Sequence, residues 1–239
     1  MHIFHTVNCG LCLKHKKIEI LIDLLHKGKN VGFSDTPDIV LNKLKMSFGS
    51  NHRIFLFTHE HEDRFDEDML TQLCDFCPDS LIFSPDLYRN IDFIEICSDI
   101  KKFSIDNIDI FAIKSVHDGD MFSDIPHNSF LIKTEKVWTF VAGDGILTSE
   151  HISLIKKYCT RKIDIAFLNV YQASSSAAFS FAEELNIKNV FLYHLPFHSD
   201  DIFFYNRQAD SVLNKWPDRL PPLRMIKHMS YIKTNGDDL

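Results

Sequence analysis

A layered α/β protein, with two sheets inside and helices outside, is what the residue pattern predicts. Three observations carry the expectation. Apolar runs of strand length recur along the whole chain, and segments of helical period with recognisable starts and stops fall between them. Strand pairs dominate the first half, whereas helices and strands mix in the second.

In chain order, 3–7 is short and apolar, and Ile18-Glu19-Ile20-Leu21-Ile22 forms the body of a second strand ending at Asp23. A helix start follows in Ser34-Asp35-Thr36-Pro37-Asp38, with acceptor side chains at the cap and proline at the first helical position. Ile39, Val40, Leu41 and Leu44 give that helix an apolar face to about Met46, and Gly49 lies just past its end. A buried strand is predicted at 54–57. Asp66-Glu67-Asp68 then loads acid onto the first turn of a second helix, where the helix dipole favours negative charge, and Pro78 is expected to close it.

Strands are expected at 80–84, 91–97 and 103–116, with a short helical turn at 85–90 and turn signals at Asp99 and Asp106-Asn107. A hairpin is expected from 128–134 and 137–142 around Glu135-Lys136. Helices at 149–158 and 176–186 alternate with strands at 163–170 and 190–193. The segment 199–216 reads as helical, and a last strand is expected at 225–232. The run Phe203-Phe204-Tyr205 is expected to face the core.

The chain has 239 residues, enough for a substantial core. Eight prolines, eight glycines and no low-complexity stretch leave no linker, so a single domain over 1–239 is expected. A net charge of -7 disfavours blanket contact with phosphate backbones, and nucleic acid is therefore not the expected partner. No segment approaches the roughly 20 apolar residues that span a bilayer. Met1-His2-Ile3-Phe4-His5 lacks a basic leader followed by a long apolar stretch, so a cytoplasmic location is expected. Six cysteines do not make a disulfide framework in a chain of this size. Cys9 with Cys12 and Cys74 with Cys77 are each C-x-x-C pairs that could clasp a structural zinc if they met in space. Cys74 and Cys77, however, sit on a helical pattern where cysteine serves as a small core residue.

The most informative stretch is Ile54-Phe55-Leu56-Phe57-Thr58-His59-Glu60-His61-Glu62-Asp63-Arg64. An unbroken apolar run stops abruptly and hands over to two histidines and a carboxylate at alternate positions. Imidazole nitrogens and a carboxylate oxygen suit zinc or a similar divalent ion. Two histidines one residue apart on a regular strand point in parallel, so the backbone must curl for both to reach one ion, and the site belongs to the loop. Glu60 and Glu62 are expected to face solvent. Later strands also end in chemistry: Val116-His117-Asp118, Gly143-Asp144-Gly145 and Tyr193-His194. The glycines beside Asp144 would leave room for close approach by a ligand. A lone histidine at a strand end is more often an ordinary hydrogen-bonded residue. It is the combination with positions 59, 61 and 63 that makes His117 and His194 ligand candidates, whereas His127 and His151 keep the ordinary reading.

This order of motifs resembles the metallo-β-lactamase fold superfamily, and most of all its cytoplasmic metal-dependent hydrolases related to L-ascorbate-6-phosphate lactonase, from about Asn8 to His198. The resemblance implies a four-layer αββα sandwich with the metal site along one edge. It also implies ligand roles: His59, His61 and His117 on one ion, Asp63 and His194 on a second, and Asp144 bridging. The departure is Arg64, where most hydrolases of the superfamily have a metal-binding histidine; a guanidinium offers no acceptor. The β-lactamases of one subclass also carry arginine there and recruit a cysteine, for which no obvious equivalent is present. Arg64 could instead hold the loop through a carboxylate or meet an anionic substrate. Asp23 is read as the cap of the turn after its strand.

An ion held by three imidazoles keeps a position for water and lowers its pKa from about 15.7 towards about 7, and Asp63 can orient that water or pass on its proton. The expected activity is hydrolysis of a small ester, lactone or phosphate-bearing molecule with one or two zinc ions, or manganese or iron. His198, four residues beyond His194, is a candidate for substrate contact. Two alternatives stay open: a nuclease or phosphodiesterase of the same superfamily, and a metal-binding scaffold without catalysis.

Overall fold

The structure is a computed structural model that describes residues 1–46, 52–76, 79–85, 94–96 and 98–233. In chain order its elements are β1 (His2–His5), β2 (Leu11–His15), β3 (Ile18–Ile22), α1 (Asp38–Met46), β4 (His52–Leu56), α2 (Glu67–Cys74), β5 (Leu81–Ser84) and β6 (Ile94–Glu95). There follow β7 (Ile100–Ile105), β8 (Ile108–Ser115), β9 (His127–Lys133), β10 (Trp138–Val141), α3 (Ser149–Tyr158), β11 (Ile165–Leu168), α4 (Val170–Ala173) and α5 (Ser176–Glu184). The last elements are β12 (Val190–Leu192), α6 (Tyr205–Lys215), β13 (Leu223–Met225) and β14 (Ser230–Lys233). No helix among the described residues is long and apolar enough to cross a membrane.

The described chain divides into two compact units, each built on one seven-stranded sheet. The first comprises Met1–Cys97, Leu195–Phe203 and Lys227–Lys233, with strand order β14-β1-β2-β3-β4-β5-β6. Its β3, β4 and β5 run parallel in direct register, Ile20 opposite Ile54 and Ile54 opposite Leu81. Parallel strands of this kind are buried on both faces, which is why β3 and β4 read as near-continuous apolar runs. Leu21, Phe55 and Phe57 share one face and pack with Val40 and Leu44 of α1 and Leu70 and Leu73 of α2. Asp66 caps α2, accepting the Met69 N–H at 2.8 Å.

The second unit comprises Ser98–His194 and Phe204–Ile226, with strand order β13-β12-β11-β10-β9-β8-β7. The antiparallel run β7-β8-β9-β10 contains the expected hairpin, with Phe130 opposite Val141, and β10 to β13 are parallel. Aromatic rings fill its interior: Phe140 lies 5.0 Å from Phe181 on α5, and Phe167 5.8 Å from Phe191.

Several boundaries differ from the sequence expectation. Leu11–His15 is a strand with no clear alternation in its sequence, held by pairing to β1 and β3 on either side. The strand at 165 stops at Leu168 because Asn169 caps α4. The helix expected from 199 begins only at Tyr205, after Phe204 in the left-handed conformation (φ 60°), and Phe203 and Phe204 are exposed rather than in the core. The expected last strand is two, β13 and β14, one in each sheet. The helical turn at 86–90, residues 91–93 of the next strand, Gly49, Cys77 and Pro78 lie outside the described residues.

Candidate functional site

The first unit supplies the loop after β4. Asp23 N–H donates to the Leu56 carbonyl (3.0 Å), which ties the end of β3 to the end of β4 where that loop departs. The loop then curls as the alternate histidines require. Arg64 N–H and Phe65 N–H both donate to the His61 carbonyl, and Lys27 N–H donates to that of Glu62. The curl turns the imidazoles of His59 and His61 toward each other, with Nε2 of His59 3.0 Å from Nδ1 of His61. Glu60 and Glu62 are exposed, whereas Asp63 is buried in the same turn and its carbonyl accepts from the Cys9 thiol at 3.3 Å. His198 stands on an exposed turn of this unit.

Arg64 is fully buried and donates from Nη1 to Oδ2 of Asp23 at 2.9 Å. Asp23 also accepts from the Thr58 N–H through Oδ1 (2.8 Å) and from the Thr58 hydroxyl through Oδ2 (2.7 Å). Burial holds the Asp23 carboxyl above the usual range, opposed only in part by the Arg64 charge and the Thr58 donors. Asp23 is therefore more than the turn cap read from the sequence: it joins the metal-motif loop to β3 from 41 residues away.

The second unit gathers its candidates around Asp144. Oδ1 of Asp144 lies 3.2 Å from Nδ1 of His194 and accepts from the Asn169 side-chain amide at 2.7 Å, while Oδ2 lies 3.9 Å from Nε2 of His117. His194 holds φ 61° two residues past the end of β12, a conformation uncommon for a residue other than glycine. The orientation of Asn169 is set by the capping box of α4: its Oδ1 accepts from the Gln172 N–H (2.8 Å), so its NH2 must face Asp144. His117 Nδ1 lies 2.6 Å from the Asp118 carbonyl, which can only accept. The proton of the neutral ring is thus on Nδ1, and the Nε2 lone pair faces a carboxylate oxygen, an arrangement that a cation would satisfy.

The space beside Gly145 is used by the protein. A side chain there would meet Ser115 Oγ and the His127 ring, so the glycine admits these neighbours and not a ligand. His127 Nε2 accepts the Asp144 N–H (2.9 Å), which puts its proton on Nδ1 against Ser115 Oγ (2.6 Å). Both of its ring nitrogens are committed, as the ordinary reading expected. Cys9, Cys12, Cys74 and Cys159 form no disulfide, and burial pushes the Cys12 thiol up to about 12.

Sequence reasoning missed Thr58 and Asn169. Thr58 carried a signal only in its position between strand end and first histidine. Asn169 had one in Asn169-Val170-Tyr171-Gln172, a capping-box spacing at the end of an apolar run.

No protein-family model and no curated protein matches this chain. Solved structures do. The metallo-β-lactamase fold protein YhfI from Bacillus subtilis is 13% identical with a TM-score of 0.60, over 97% of this chain and 98% of its own. Igni18, a metallo hydrolase from the hyperthermophilic archaeon Ignicoccus hospitalis, is 16% identical with a TM-score of 0.65, over 97% and 98%. CmlA, a diiron β-hydroxylase from Streptomyces venezuelae, is 10% identical with a TM-score of 0.65 over 97% of this chain, which spans about half of CmlA (54%). At these identities the likeness is one of architecture, and by it this chain has the metallo-β-lactamase fold.

Proposed function

We propose that the chain is a cytoplasmic metal-dependent hydrolase acting on a small ester, lactone or phosphate-bearing molecule. By the order of motifs in the sequence, His59, His61 and His117 would hold one ion, with Asp144 bridging to a second. Asp63 and His194, with Asp144 shared, would offer a second, weaker position. Three imidazoles and a carboxylate are the mixed nitrogen and oxygen donors that zinc favours and that manganese or iron also accepts. The observation that carries the reading is the 2.6 Å contact between Nδ1 of His117 and the Asp118 carbonyl. Nδ1 of His117 is committed to a carbonyl, which reserves Nε2 of the neutral ring as a donor to a cation.

When bound, the ion supplies Lewis acidity and a water of lowered pKa. The remaining work falls to the chain. Asp63 would orient the attacking water and take its proton. Asn169 holds the Asp144 carboxylate in one rotation. Arg64, engaged with Asp23, has no lone pair to offer in place of the histidine that most hydrolases of the superfamily carry there, which favours one tightly held ion over two.

Metal analysis of the carefully prepared protein, with lactone and phosphodiester hydrolysis assayed alongside, tests this reading. At least one tightly bound ion per chain is expected, with its loss and the loss of turnover in His59→Ala. Less than one ion per chain in the wild type would overturn it, and ions bound without turnover of any such substrate would favour a binding scaffold. CmlA is described as a diiron enzyme, so iron is quantified beside zinc and manganese in the same samples.

A further inference from the structure

We infer that Thr58 is a positioning residue that selects the tautomer of His59, acting as the middle of a one-way hydrogen-bond relay from Asp23. The inference rests on the metal-ligand role proposed for His59, but it concerns proton placement in the chain itself.

The direction of the relay follows from its anchor. Both oxygens of Asp23 face donors with no acceptor capacity: Oδ2 faces the Arg64 guanidinium at 2.9 Å, and Oδ1 faces the Thr58 backbone N–H at 2.8 Å. A proton on Oδ2, shared with the Thr58 hydroxyl, would deprive the fully buried and permanently charged Arg64 guanidinium of this counter-charge, so Asp23 is ionised and accepts at both oxygens. The Thr58 hydroxyl, 2.7 Å from Oδ2, must then spend its only proton on Asp23. What remains on Thr58 Oγ1 is lone pairs, and one of them faces Nδ1 of His59 at 3.0 Å. Nδ1 must therefore be the donor. In the neutral ring this leaves Nε2 without a proton, on the side that faces His61.

Asp23, Arg64, Thr58 and His59 are all fully buried, so water does not compete for these bonds. Arg64 acquires a definite part in this scheme. It keeps Asp23 an acceptor, and through Thr58 it acts on His59. Without the hydroxyl, a neutral His59 could carry its proton on either nitrogen, and binding a cation through Nε2 would first require that proton to move.

The test is 15N NMR of the histidine rings in the full-length, metal-free protein at a pH of about 8, above the ordinary histidine range, together with zinc affinity by chelator competition. In the wild type and in Thr58→Ser, which keeps the hydroxyl, His59 is expected as the Nδ1–H tautomer. Thr58→Val, of nearly the same shape, is expected to populate the Nε2–H form and to bind zinc about 10- to 100-fold more weakly, the usual effect of losing a partner behind a ligating histidine. Wild-type His59 in the Nε2–H form would overturn the inference, as would Thr58→Val with an unchanged tautomer, whether or not its zinc affinity fell. Should Thr58→Val fail to fold, the wild-type tautomer still decides. Absence of zinc binding alongside the expected tautomers would defeat the proposed function and leave the relay standing.

Discussion

At the scale of the residue, the pair of Arg64 and Asp23 is where charge is most deeply buried, both side chains having no exposure. Such a pair contributes little net stability compared with an apolar equivalent, because desolvation offsets most of the attraction, but removing one partner leaves the other charged and stranded. Asp23→Ala is expected to lower the unfolding free energy by about 3–5 kcal/mol in urea denaturation. The double variant Asp23→Leu with Arg64→Met should recover a large part of that loss. A double variant no more stable than Asp23→Ala would mean that the pair is not what holds the loop. The histidines of this loop were legible in the sequence because His59, His61 and Asp63 are neighbours at telling spacing. The partner of Arg64 was not, since nothing local links positions 23 and 64 and only the parallel pairing of β3 with β4 brings Asp23 to Thr58.

At the scale of the element, helix caps do two different jobs. Asp66 caps α2 at the end of the metal-motif loop, and Asn169 caps α4 while giving its amide to Asp144. Asp66→Ala is expected to cost about 1 kcal/mol of stability, the ordinary value of an N-cap, and to leave zinc affinity unchanged. Asn169→Ala should cost a similar amount of stability and also weaken zinc binding about 10-fold or more, because the Asp144 carboxylate loses the donor that sets its rotation. Thermal melts and chelator competition on the two variants separate the roles. Equal zinc affinity in both would make Asn169 a cap and nothing more. Caps of this sort can be read from sequence when acid or amide precedes a helical pattern, as at Asp66. At Asn169 the helix is only Val170–Ala173, too short to show a period, and the apolar strand before it masked the boundary.

At the scale of the whole molecule, acid stability should depend on His151. This ring lies buried on α3 against Phe140, and burial depresses its pKa from 6.5 to about 4. Between those values the unfolded chain binds the proton and the folded chain does not, so stability is fully present above about 6.5 and falls as the pH drops towards 4. The loss attributable to this one group approaches about 3 kcal/mol. His151→Leu should flatten that part of the pH profile measured by denaturant unfolding, and an unchanged slope would exclude His151 as its source. The sequence by itself determined the two-sheet α/β architecture, through apolar runs of strand length and helical periods that are local properties of the chain. It also determined which side chains could carry chemistry, because His59, His61, His117, Asp144 and His194 each follow an apolar run that stops. Only the tertiary structure decided how those side chains are held. The direction of a hydrogen bond depends on which donor faces which acceptor, and the groups that set it here, Asp23 behind Thr58 and Asn169 behind Asp144, come from distant parts of the chain and meet only when the strands are paired.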